Sequence, residues 1–279
     1  MRNYKIVVDS CCDLPKEYRN NDHIEFIPLT LMIDDMEIVD DESFDQADFI
    51  DKVAKSPNCP KSASPSPGAY ASACEGKDTD VYIVTLSSKL SGSYNSALLG
   101  VNLYKEDGGD NKVHVFDSES ASSGEAIIVE KILECVGKGF DFDTTVKLVE
   151  KFKEGSKTYF VLETLESLKK NGRLTNLQAF IANALHVKPI MGSKKGEIIK
   201  LKQERGIKKA IESMCNIIAE NIKDAENKVL AISHCNCRER AEFIKKKLEE
   251  RFKFKKVMIL ETAGVATLYA NNGGVVVAV

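Results

Sequence analysis

The sequence predicts an α/β protein of two domains: an N-terminal α/β domain on a parallel sheet and a C-terminal α/β domain on a mixed or antiparallel sheet. Three observations carry that expectation. The 279 residues suffice for two cores, since domains commonly hold roughly 100–200 residues. In the first half, short apolar β-branched runs alternate with segments of helical periodicity, as expected for strands buried on both faces of a parallel sheet. The second half mixes hairpin-like strand pairs with helices, which calls for antiparallel pairing. We place the division between residues 1–155 and residues 156–279.

Composition narrows the class. With 43% hydrophobic and 29% charged residues and only seven prolines, the chain reads as globular with little disorder. A net charge of -3 argues against a general nucleic-acid or membrane-surface binder, which would carry a basic excess. The eight cysteines include an adjacent pair, Cys11 and Cys12, a spaced pair, Cys235 and Cys237, and four singles, with no C-x-x-C pair. Neither a zinc site nor a disulfide scaffold is expected. His234 beside Cys235 and Cys237 would lack a fourth ligand, so no metal is expected there. The N-terminal MRNYKIVVDS enters a strand without the features of a secretory signal, and no segment approaches the roughly 20 apolar residues of a membrane span. The expected location is cytoplasmic.

The elements follow in order. Residues 4–9 form a first strand, and Ser10 to Asp13 a polar turn before a short helix near Pro15. Asp9 and Asp13 read as a strand-end acid and a helix cap, with an anion-binding turn as the alternative. Residues 24–33 are strand-like, Pro28 marking an edge or bulge; Asp34 and Asp35 turn the chain into a strand at 36–39. Ser43 with Gln46 three residues on has the capping-box pattern for a helix through Lys55. KSASPSPG at 61–68 is a serine-rich loop in which Ser66 caps a helix that starts at Pro67.

The stretch at 81–97, VYIVTLSSKLSGSYNSA, joins a buried strand, a serine-rich turn and a helix. In such units ligands usually lie beyond the carboxyl ends of the strands, where loop amides and a helix N-terminus meet an anionic group. The serines suit a phosphate or a carboxylate equally, and they also suit simple capping. A third polar loop, 117–124, follows a strand at 112–116 and precedes a helix at 125–136. Three such loops around one layer raise the ligand reading above capping alone. Residues 137–143 read as a boundary region, followed by a helix at 144–154 and a strand at 157–162. Residues 163–173 form a short helix with a basic last turn and glycine as its stop, and Thr175 can cap a helix through Ala184. Strands at 187–191 and 197–202 flank a polar turn. A helix at 207–222, a strand at 229–233, a helix at 238–251, a strand at 256–260, a small-residue segment at 262–270 and a last strand at 275–279 complete the chain.

Taken together, these motifs resemble the DegV family of bacterial fatty-acid-binding proteins. The resemblance rests on VDSCCDL at 8–14, SASPSPG at 62–68, SSKLSGSYNSA at 87–97, Asp117-Ser118 with Gly124, Glu163-Thr164-Leu165-Glu166 through Gly172-Arg173, and VKPI at 187–190. It spans essentially the whole chain. It implies a long-chain fatty acid in a tunnel between the two domains, no cofactor, and no catalytic activity of the chain's own. Ser62 stands in the family's T-S-x-P-S-P loop, with serine for the usual threonine, and Ser91, Gly92 and Ser93 in its S-G-T segment; these loops bind the carboxylate in the family. The resemblance further implies a fatty acid kinase as partner, with Arg173 and Arg205 at positions of its docking surface. One departure stands out: Tyr269 occupies the place of the histidine in the family's H-x-G-P-G motif. It can donate a hydrogen bond but cannot carry a positive charge.

The alternative from another class is a sugar-phosphate isomerase or other phospho-ligand enzyme using the serine-rich loops. The G-x-S-x-G and G-x-x-x-x-G-K-[ST] patterns are absent from the sequence, and His23, His114, His186 and His234 belong to no recognisable nucleophile and base arrangement.

Overall fold

The computed structural model describes residues 3–174 and 186–279. The first half runs β1 (Asn3–Asp9), a 3-10 turn at Lys16–Asn20, β2 (Ile24–Ile27), β3 (Thr30–Ile33), β4 (Met36–Val39), α1 (Gln46–Lys55), β5 (Lys61–Ala63), α2 (Pro67–Ala73), β6 (Thr79–Thr85), α3 (Ser93–Glu106), β7 (Lys112–Asp117), α4 (Ser123–Gly137) and α5 (Phe142–Gly155). The second half runs β8 (Thr158–Val161), α6 (Glu166–Lys170), β9 (Val187–Lys194), β10 (Glu197–Arg205), α7 (Ile207–Asn221), β11 (Val229–His234), α8 (Arg238–Glu249), β12 (Lys256–Glu261), α9 (Gly264–Ala270) and β13 (Val275–Ala278). The helix expected from Thr175 through Ala184 lies outside the described residues.

The fold class agrees with the expectation. β2-β1-β6-β7 form a sheet whose pairings are all parallel, and β6 is buried at every residue, as an apolar run between two helical layers must be. β10-β9-β8-β13-β11-β12 form a mixed sheet in which only β11 and β12 run parallel. A small antiparallel sheet, β4-β3-β5, stands beside them.

α4 joins the two larger sheets. Its first two turns are buried on every side, which fits a helix packed on more than one layer, and it packs on β6 as well as on β11 and β13. One hydrophobic core therefore runs from Val8 and Tyr82 through Ile127 and Ile132 to Ala231 and Met258. Residues 137–143, expected as a boundary region, hold the turn between α4 and α5, two helices that pack together. The division we propose after residue 155 falls between α5 and β8.

Four local expectations need correction. The strand expected over 24–33 breaks at Pro28 into β2 and β3, which join different sheets; proline has no N–H for a ladder, and the Leu29 N–H that follows goes to Ser10 Oγ at 3.0 Å. Asp45, not Ser43, caps α1 through the Asp48 N–H, while Ser43 bonds Asp41 and Gln46 reaches the Thr262 carbonyl at 2.8 Å. The first residues of the 61–68 loop are strand β5, with Ser62 opposite Leu31. The segment at 262–270 contains helix α9. Ser66 and Pro67 do start α2, the Ser66 hydroxyl accepting from the Ala69 N–H.

Candidate functional site

An apolar cavity of about 850 Å³, part of it open to solvent, lies between the carboxyl ends of the parallel strands and the mixed sheet. Leu29, Leu86, Phe160, Leu162, Ile198 and Val265 give the wall its apolar character. The loops after β6 and β7, with β5, supply the N-terminal wall; β8, α6, the β9–β10 hairpin and α9 supply the other.

The hairpin closes on the central loop through a glycine. Ser87 Oγ donates to the Gly196 carbonyl at 2.9 Å. Gly196 has φ +80°, and a Cβ there would lie 2.5 Å from Ser87 Oγ, so glycine is required both for the turn and for the approach. Ser120 Oγ and Thr158 Oγ1, 2.6 Å apart, bridge the same two walls further in.

Four of the residues singled out from sequence meet at this cavity. Ser62, Ser91, Arg173 and Tyr269 all line it. Ser62 Oγ and Tyr269 Oη are 3.2 Å apart, and Ser91 Oγ lies 3.1 Å from Ser64 Oγ while accepting from the Ser93 N–H at 3.2 Å. The Arg173 guanidinium sits 5.6 Å from the centre of the Tyr269 ring, and its Nε donates to the Leu90 carbonyl at 3.0 Å. Burial pushes the Tyr269 phenol above its ordinary pKa against the opposing effects of Ser62 and Arg173, so at neutral pH it is an uncharged donor.

The other three lie elsewhere. Gly92 sits at the N-cap of α3, off the cavity lining. The Ser93 hydroxyl turns inward, 2.6 Å from Asp9 Oδ2 and 2.7 Å from Tyr70 Oη. Arg205 ends β10 in an exposed position away from the cavity. Cys235 and Cys237 are buried, and among the described residues no group of three or more His, Cys, Asp or Glu side chains is arranged to hold a metal ion.

The carboxylates beneath the site are only faintly marked in the sequence. Asp9, Asp13, Asp40 and Glu125 are all buried. Asp9 accepts from the N–H groups of Cys11 at 3.1 Å and Leu86 at 2.9 Å, besides Ser93. Asp13 accepts from Ser122 Oγ and from the Ala263 N–H at 2.8 Å. Asp40 accepts from Ser10 Oγ at 2.9 Å and from the N–H groups of Gly264 at 2.7 Å and Val265 at 2.8 Å. Asp13 and Asp40 thus cap α9, whose own N-cap, Ala263, has no side-chain acceptor. Burial raises Asp9 to about 6 and Asp13 to about 7 against these bonds. Glu125 is pushed well above the carboxylate range by burial and by Asp9. A proton held on Glu125 removes the repulsion between the pair. The signal for Asp9 and Asp13 was the pair of acids flanking Ser-Cys-Cys after a strand; Asp40 and Glu125 carried no comparable mark.

These elements define an α/β protein with an apolar site enclosed between a parallel and a mixed sheet. The chain belongs to the DegV family, whose model, described as "Uncharacterised protein, DegV family", matches residues 3–279. A DegV domain-containing protein of Streptococcus pneumoniae is 32% identical over 275 residues, covering 97% of this chain and 96% of that relative. The crystal structure of a DegV family protein from Ruminococcus gnavus, refined with vaccenic acid, has a TM-score of 0.96 at 44% identity and 99% coverage of both chains. The Streptococcus pneumoniae Fatty Acid Kinase (Fak) B3 protein, loaded with linoleic acid, has a TM-score of 0.90 at 31% identity, covering 99% of this chain and 98% of that one. The bound ligands in these neighbours are fatty acids. Among the described residues no helix is long and apolar enough to cross a membrane.

Proposed function

We propose that this protein binds a long-chain fatty acid in the cavity between its sheets and presents the carboxylate to a fatty acid kinase for acyl phosphate formation. The observation that carries the reading is an apolar cavity whose polar groups include Ser62, Ser91 and Tyr269. Burying a sixteen-carbon chain stabilises by on the order of 11 kcal/mol before ordering costs, at about 0.8 kcal/mol per methylene. Tail burial therefore dominates affinity, and the head group needs only orientation. The Ser62, Ser91 and Tyr269 hydroxyls supply donors, while Gly92 and Ser93 contribute the backbone at the start of α3. Arg173 also lines the cavity, but its Nε and Nη1 are committed to the Leu90 and Asn171 carbonyls; this leaves orientation to the neutral donors and suits a carrier, because a bidentate arginine would grip the carboxylate harder and hinder its transfer.

Fatty acids in the vaccenic- and linoleic-loaded neighbours support this ligand class, and the fatty acid kinase named with the pneumococcal protein supports the partner. We assign Arg173 and, from its exposed place at the end of β10, Arg205 to kinase docking. The chain acts as a carrier without catalysis of its own. All eight cysteines are unpaired, which fits a reducing compartment, and we place the carrier in the cytoplasm.

Titration of delipidated protein with palmitic acid and, separately, with a sugar phosphate tests the ligand class; uptake of the sugar phosphate alone would overturn the reading. Replacing both Ser62 and Ser91 by alanine is expected to weaken palmitate binding by about 1–3 kcal/mol, from about 0.5–1.5 kcal/mol per ordinary hydrogen bond. Unchanged affinity would place the head group elsewhere. Arg205→Ala is expected to reduce acyl phosphate formation by the kinase while leaving palmitate affinity intact, and equal loss of both would remove the docking assignment.

A further inference from the structure

We propose that Asp9 is the positioning residue of the carboxylate-binding loop, acting on the ligand through Ser93 and Ser91. The inference deepens the carrier reading and rests on it. A single oxygen, Asp9 Oδ2, receives the Leu86 N–H at 2.9 Å and the Ser93 hydroxyl at 2.6 Å. Leu86 and Ser93 stand at the two ends of the loop that carries Ser91, so one atom closes the loop like a clasp.

The proton order is fixed by valence. An ionised carboxylate only accepts, so the Ser93 proton goes to Asp9 and Tyr70 Oη donates its own to Ser93 Oγ at 2.7 Å. The Ser93 N–H in turn donates to Ser91 Oγ at 3.2 Å, and Ser91 lines the cavity. Asp9 is thus two hydrogen bonds from the cavity wall. Asp9, Ser93 and Tyr70 are fully buried, so no bulk water competes for these bonds.

A purely structural role fits less well. No lysine or arginine is among the hydrogen-bond partners of Asp9 in the described residues, and a buried carboxylate without a cation is costly to the fold. A neutral residue filling the same space would serve packing better. What the carboxylate adds is two strong, directional anchors on one loop.

The test compares delipidated wild type, Asp9→Asn and Ser93→Ala for affinity toward palmitic acid and toward cetyl alcohol, which keeps the tail and lacks the carboxylate. Each variant is expected to lose about three- to tenfold in affinity for the acid and to retain its affinity for the alcohol. Asp9→Asn combined with Ser93→Ala is expected to be no weaker than Asp9→Asn alone, because both break one chain of bonds. Equal losses for acid and alcohol would make Asp9 a structural residue and overturn the proposal, as would no loss at all. If Asp9→Asn does not fold, Ser93→Ala decides with the same two ligands. Wild type that takes up neither ligand would overturn the carrier reading itself, a result distinct from either of these.

Discussion

On the N-terminal wall of the cavity, Asp9, Asp13 and Asp40 hold loops and a helix end from complete burial, through N–H and O–H donors alone among the bonds described. Behind the opposite wall, just past β8, Glu163 meets Lys188 at 2.7 Å and Arg240 at 2.8 Å while all three side chains remain partly exposed. Buried acceptors with several fixed donors set geometry at a cost in stability. Ion pairs within reach of water add little energy and hold position loosely. The N-terminal wall is therefore held the more rigidly, by its buried carboxylates, and disturbing the two walls should have unequal consequences.

The largest expected effect is from Asp40→Ala. The change leaves the Ser10 hydroxyl and the Gly264 and Val265 N–H groups without their acceptor, and it should cost on the order of 3 kcal/mol or more, read from urea unfolding. A loss below about 1 kcal/mol, the range of exposed pairs, would erase the distinction between the walls.

Next in size is a pH effect with an unusual sign. Asp9 and Asp13 titrate at about 6 and about 7 in the folded chain, against an ordinary value of 3.8 for aspartate. The folded state therefore binds more protons than the unfolded state between these values, and stability rises as pH falls from about 8 toward 5, by on the order of a few kcal/mol. Glu134 acts in the opposite direction and in a lower window. Despite partial burial, hydrogen bonds from Lys138, Lys255 and Lys131 hold it down to about 2. Its contribution is complete above its ordinary 4.5 and is lost as pH falls toward 2. Thermal unfolding scanned across pH should show stability rising from pH 8 to a maximum at about 4; a monotonic fall from pH 8 downward would contradict the assignment.

The smallest expected effect is from Glu163→Gln behind the second wall. Loss of its two ion pairs should cost about 1 kcal/mol or less, diminishing in high salt, again by urea unfolding. A cost matching that of Asp40→Ala would show that the second wall is held as firmly as the first.

The same contrast explains what was legible in the sequence. Strands, their sheet class and the Ser66-Pro67 helix start were readable because periodicity and caps are local signals. α9 was not, since its caps come from Asp13 and Asp40, more than two hundred residues away along the chain. Ser43 and Asp45 are both competent caps, and only the actual chain path distinguishes them. Of the site residues, Ser62, Ser91, Arg173 and Tyr269, marked by the loop motifs and the family resemblance, lie together. The inward turn of Ser93 was hidden, because it depends on Asp9, 84 residues earlier. Asp40 and Glu125 look like any surface acid until the fold buries them.

The central claim, an acyl chain held in the cavity, is tested most directly by mass spectrometry of organic-solvent extracts from the purified protein beside a matched control. A tightly held chain should survive purification, so fatty acid in stoichiometric amount is expected, with its chain length and unsaturation read from the same spectrum. A clean extract followed by no uptake of added fatty acid would contradict the account.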